Sequence, residues 1–116
     1  MQTIYVKDFS QYPGPRYIKD GKASGEEFRD SILIPAIKRD PDIILNLDDT
    51  EGYGSSFLEE TFGGAIRKGI SPEVVLNLVK NLISNDDHDI IDEIKSYVEK
   101  EIEILSLKDN KWLFLI

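Results

Sequence analysis

The run Asp48-Asp49-Thr50-Glu51-Gly52-Tyr53-Gly54-Ser55-Ser56 holds most of the side chains in this chain that could do chemistry. Asp48, Asp49 and Glu51 are three carboxylates within four residues, a donor set suited to a hard cation or to proton transfer. Gly52 and Gly54 would open backbone N–H groups at a helix start, the geometry that takes a phosphate. No lysine follows those glycines, as one does in a P-loop. Ser55 and Ser56 can cap the helix they begin, or present a hydroxyl for modification. A phosphate there would bring a charge of roughly -1.5 to -2 to a position that a helix dipole tolerates. No second cluster completes a catalytic constellation. His88, the one histidine, stands in an aspartate-rich stretch and reads as solvated. The expectation is therefore a loop that meets a partner or ligand, with no enzymatic activity, no cofactor and no metal.

Positioning such a loop requires a strand before it and a helix after it. Ile43-Ile44-Leu45-Asn46-Leu47 is short and nearly all apolar, as suits a strand covered on both faces. Phe57, Leu58, Phe62, Ala65 and Ile66 give the following segment an apolar helical face, and Gly63-Gly64 inside it point to close packing against the sheet. Upstream, Thr3–Val6 and Arg16–Lys19 read as two strands around the Tyr12-Pro13-Gly14-Pro15 turn, hence an N-terminal hairpin. Ser24 with Glu27 forms a capping-box pattern that opens a helix through Phe28, Ile32, Leu33, Ala36 and Ile37. Pro35 should bend that helix or end its first segment. Ser71-Pro72 starts the next helix. Asp86 or Asp87 caps a last one, with Ile90, Ile94, Val98 and Ile102 at helical spacing. Lys111–Ile116 reads as a terminal strand.

The bulk properties fit one domain over residues 1–116, with 41% hydrophobic residues and a net charge of -8. A surface with 22 acidic and 14 basic residues is a poor partner for nucleic acid. Without cysteine there is no disulfide or thiol chemistry. No apolar run is long enough to span a membrane, and the N-terminus lacks the form of a secretory signal, so a cytoplasmic location is expected.

The run "DFS…PGPRY…DG…SGEEFR…ILIPA" followed by "ILNLDDTEGYGSSFLEETFGGAIRKG" resembles the bacterial STAS-like domain family of uncharacterised function. The motifs agree in detail over residues 8–70 and more loosely to about Val98. The resemblance implies an α/β fold related to anti-anti-sigma factors: a mixed β-sheet with helices packed against it, and Asn81–Ser84 as its fourth strand. In those relatives a strand "LDLS" leads to "DSSG" at a helix start. The first serine is phosphorylated by a partner with a histidine-kinase-like ATPase fold, and the unphosphorylated form binds that partner. By position, Ser55 would be the phosphoacceptor and Ser56 its neighbour. Gly54 replaces the aspartate that precedes the pair, and Phe57 replaces the glycine that follows it. The expected function is a non-catalytic regulatory domain with a protein partner of that ATPase type. The alternative is a small-ligand or nucleotide sensor using residues 48–54.

Overall fold

The computed structural model describes residues 2–113, with side chains as far as residue 108. Strand β1 (Thr3–Tyr5) runs straight into one helical turn, α1 (Val6–Phe9). It pairs in parallel with β2 (Ile44–Asn46), in the register Thr3↔Ile44, Ile4↔Leu45 and Tyr5↔Asn46.

The expected N-terminal hairpin is not formed. Arg16–Lys19 adds no strand, and Ile18–Asp20 closes as a short 3-10 turn. Prolines 13 and 15 have no N–H to give to a ladder. The carbonyls of this segment go elsewhere: those of Pro13, Pro15 and Arg16 accept the N–H groups of Gly54, Gly25 and Glu26 at 3.0, 2.9 and 3.0 Å. The proline-rich segment thus caps two helix starts, whose first N–H groups have no intrahelical partner.

Helix α2 covers 25–39. The Ser24 hydroxyl accepts the Glu27 N–H at 3.0 Å, as the capping box predicts. The helix passes through Pro35 without ending there. It widens to a π-helical stretch at Arg29–Leu33 before resuming at Ile34–Arg39. The wide turn spans Ser31, whose carbonyl the Pro35 ring would strike in a regular α-helix.

Strand β2 is filled on both sides. Opposite β1, Leu47 N–H reaches the Ile83 carbonyl at 2.8 Å, and Ile83 N–H reaches that of Leu45 at 3.0 Å. The expected fourth strand is therefore one parallel bridge, Asn46↔Ile83. The pairing among the described residues is parallel rather than mixed, and helices dominate. Helix α3 (55–67) follows the loop and also carries a π-helical stretch, Glu59–Gly63. Helix α4 (Pro72–Lys80) is capped by Ser71, which accepts the Val74 N–H at 3.3 Å. Helix α5 (Asp89–Leu113) starts where Asp87 accepts the Asp89 N–H at 3.0 Å. It runs through Lys111–Leu113, the first half of the expected terminal strand; residues 114–116 lie outside the described residues.

Phe28, Leu33, Ile43, Leu45, Phe57, Phe62, Leu78, Ile94 and Val98 are almost wholly removed from solvent. Each such side chain contributes about 1.5–3 kcal/mol. They draw α2, α3, α4 and α5 onto β2, so the loop that follows Leu47 starts from the core.

Candidate functional site

The loop from Asp48 to Gly54 is braced from two directions. Asp48 turns its carboxylate towards the segment after Ile83. Oδ1 accepts the N–H groups of Asn85 and Asp86 at 2.7 and 2.9 Å, and Oδ2 accepts the Asn85 amide at 2.9 Å. The Asp86 N–H, together with the Asn85 side chain and N–H, holds the Asp48 carboxyl below the usual range. Asp49 adopts a left-handed backbone, φ 68°, which is uncommon for a residue with a side chain. Its N–H goes to Asp86 Oδ2 at 2.8 Å, and its exposed carboxylate lies 3.5 Å from Lys7 Nζ. Thr50 Oγ1 accepts the Gly52 N–H at 3.3 Å inside the loop.

From the other side, Glu51 N–H meets the Gln11 carbonyl at 2.8 Å and Gly54 N–H meets that of Pro13. A side chain at position 54 would place its Cβ 2.5 Å from the Gly14 carbonyl oxygen. The glycine in place of an aspartate is thus set by the approach of the Pro-Gly-Pro segment. Tyr53 roots the loop in the core. Its hydroxyl donates to the Leu47 carbonyl at 2.7 Å and its ring lies 6.0 Å from that of Phe57. Burial pushes its phenol above the ordinary tyrosine value. Phe57 is 1% exposed and packs on Phe28, so the residue that replaces the expected glycine serves the core.

Ser55 and Ser56 are both exposed at the start of α3. Neither caps it: Gly54 holds the N-cap position with no side-chain bond. The hydroxyls therefore stay free of that structural duty. The three carboxylates expected to act together are separated in role. Asp48 is spent on residues 85 and 86, Asp49 faces Lys7, and Glu51 is exposed. Among the described residues no three acids or histidines stand close enough to hold a metal ion. A cavity of about 110 Å³ lies beneath the loop, lined by Leu47, Thr50, Tyr53, Ser84, Asp86 and Glu93 among others.

Sequence reasoning did not bring out the ionic network one turn beyond the serines. Buried Arg29 pairs with Glu60 and, at 2.8 Å, with Asp30. Arg16 bonds to Glu59 at 2.5 Å and to Glu60 at 3.2 Å. Arg67 reaches Glu59 at 2.9 Å and Glu101 at 3.0 Å. Burial pushes the Glu59 carboxyl up, but the bonds from Arg67 and Arg16 outweigh it and leave the group below its ordinary range. Gly63 and Gly64 make room for this network rather than for the sheet. A Cβ on Gly64 would stand 2.6 Å from the Arg29 guanidinium, and one on Gly63 would strike the Glu59 carboxylate. The four-residue spacing of Ser55, Glu59, Gly63 and Arg67 was the sequence signal of this shared face.

The model of a family described as "STAS-like domain of unknown function (DUF4325)" matches residues 24–89, more than half of the chain. The chain belongs to this STAS-like family. The matched region takes in the whole of α2, β2, the loop, α3 and α4 of the STAS-like domain. No curated protein and no solved structure matches it. No helix among its described residues is long and apolar enough to cross a membrane.

Proposed function

We propose that this STAS-like domain is a non-catalytic interaction module that meets a protein partner through the loop 48–54 and the start of α3, with Ser55 as the switchable residue. The observation that carries the reading is the combination of bracing and exposure. Residues 11–13 and 85–86 fix the loop backbone from opposite sides, while Asp49, Glu51, Ser55 and Ser56 remain exposed. A surface held in one conformation binds with less ordering cost. The partner suggested by the family resemblance is a protein with the histidine-kinase-like ATPase fold, which would phosphorylate Ser55 and bind the unmodified form. The acidity of the face calls for a partner surface rich in Lys and Arg. The cavity under the loop, about 110 Å³, is smaller than the roughly 300 Å³ at which ligand pockets usually begin. That difference favours a protein partner over a nucleotide sensor.

An affinity capture from the native host, run in parallel with wild type and Ser55→Asp, tests the proposal. A partner held by wild type and lost with the Asp variant is the expected result. Identical partner sets, together with intact masses that show no phosphate in any growth state, would overturn the switch.

A further inference from the structure

Two surfaces on α4 and α5 find no complement inside the molecule. The first is an apolar groove along the seam of the two helices, lined by Leu76, Val79 and Ile91. Leu76 is 40% exposed. Exposed Lys80, Asp92 and Lys95 complete the lining. Among the described residues Lys80 has no acidic partner, and Lys95 has only Glu99 of its own helix, at 3.9 Å. The groove is thus apolar with a basic margin, on a chain whose net charge is -8. The second surface is the far end of α5. Ile102 is the last of its described residues packed on the core, yet the helix runs on to Leu113, about 16 Å farther. A helix of that length is marginal in water without something to pack on. Its Leu105 is 38% exposed, and Glu99 and Glu103 stand exposed beside it.

Each surface supplies what the other lacks: apolar area for apolar area, and exposed acids for exposed lysines. Within one copy they cannot meet. Ile91, Ile102 and Leu105 fall on one side of α5, but Ile91 and Leu105 are roughly 21 Å apart along the same helix. The tail therefore cannot fold onto its own groove. Two copies can do what one cannot. When two α5 helices cross antiparallel, each tail reaches the other's groove at the same time, which closes an isologous contact. A parallel crossing would set groove on groove and lysine on lysine. We infer that this chain pairs with a second copy of itself through α5, the tail of each lying antiparallel in the Leu76–Ile91 groove of the other. Leu105 of one copy covers Leu76 and Ile91, and the acids around Leu105 meet the Lys80 and Lys95 margin. This is a helix laid in an apolar groove, with both parts carried by the same chain.

Sedimentation equilibrium on the purified full chain, over about a hundredfold range of concentration, tests this. The mean mass is expected to rise from 13.2 kDa towards twice that value. Leu76→Glu and Leu105→Glu change exposed positions, so each variant should keep its far-ultraviolet circular dichroism while weakening association at least about tenfold. The chain has no cysteine, so disulfide trapping reads the direction of the crossing. An oxidised mixture of Leu76→Cys and Leu105→Cys copies should give mainly the mixed dimer. Leu105→Cys alone should stay uncrosslinked, because an antiparallel crossing holds the two copies of that position apart. A mass of 13.2 kDa at every concentration would overturn the pairing and leave the groove to a different occupant. A dimer undiminished by both glutamates, or Leu105→Cys linking to itself as readily as to Leu76→Cys, would equally overturn it.

Discussion

At the scale of single residues, Asp48 and Gly54 carry most of what is distinctive about the loop. Asp48 accepts three hydrogen bonds from residues 85 and 86 and is held below its ordinary pKa. A lowered folded-state pKa means stability that is present above the unfolded value and lost as pH falls through the folded one. Asp48→Asn should therefore be less stable than wild type at pH 7, with the gap closing as pH drops below about 4; urea melts across that range check it. Gly54→Ala should cost about 1–3 kcal/mol, because its Cβ would meet the Gly14 carbonyl and the backbone there would have to shift. Denaturant unfolding reads this directly. Arg29→Met should cost about 3 kcal/mol, since it strands the buried Glu60 carboxylate with only its longer bonds to Arg16 and Arg67. The chain's residue types announced the loop through its acids, glycines and paired serines. They did not announce what each would touch. Asp48 reads as a ligand or base until Asn85 and Asp86, 37 and 38 positions away, are seen to claim it. Gly54 reads as a departure from the phospho-switched pattern until Gly14 is seen against it.

At the scale of elements, local signals worked where one side chain acts on its own neighbourhood. Ser24 and Ser71 cap the helices they were expected to cap. Ser24→Ala should lower stability by about 1 kcal/mol, measured by thermal or urea melting, with β2 and α5 left in place. Periodicity also found the apolar faces of α2, α3 and α5, because burial on one side enforces a 3.6-residue repeat. The errors fall where a segment's partner is distant in the chain. Local pattern pairs β1 across the nearest turn, yet it pairs with β2 some forty residues on, since two prolines disqualify the intervening segment as a strand. Lys111–Leu113 opens a run rich in aromatic and large apolar residues, which reads as a strand, but continues α5, an instance of β preference yielding to context. The two π-helical stretches left different traces. Pro35 flagged the first. The second, at Glu59–Gly63, carries Glu59 and Glu60, which meet Arg16 and Arg29 from elsewhere in the chain and Arg67 at the end of the same helix, a set of contacts that no local pattern shows.

At the scale of the whole molecule, net charge decides how a partner arrives. With a net charge of -8 and exposed acids on both loop segments, association with a basic partner should be electrostatically steered. Raising the salt from 50 to 500 mM should slow the association rate at least about tenfold while changing dissociation far less, as surface plasmon resonance would report. The proline-rich segment also decides where this domain begins as a folding unit. The family match starts at residue 24, but the carbonyls of Gln2, Gln11, Pro13, Pro15 and Arg16 satisfy amides of Ile44, Glu51, Gly54, Gly25 and Glu26. A fragment that begins at residue 24 and keeps α5 would leave those five donors unmatched and β2 with a bare flank. It should express as an aggregating or unfolded peptide, whereas a fragment beginning at residue 1 should fold. The family-matched centre thus draws stability from its margins, and any excision, fusion or display of this domain has to carry the first sixteen residues with it.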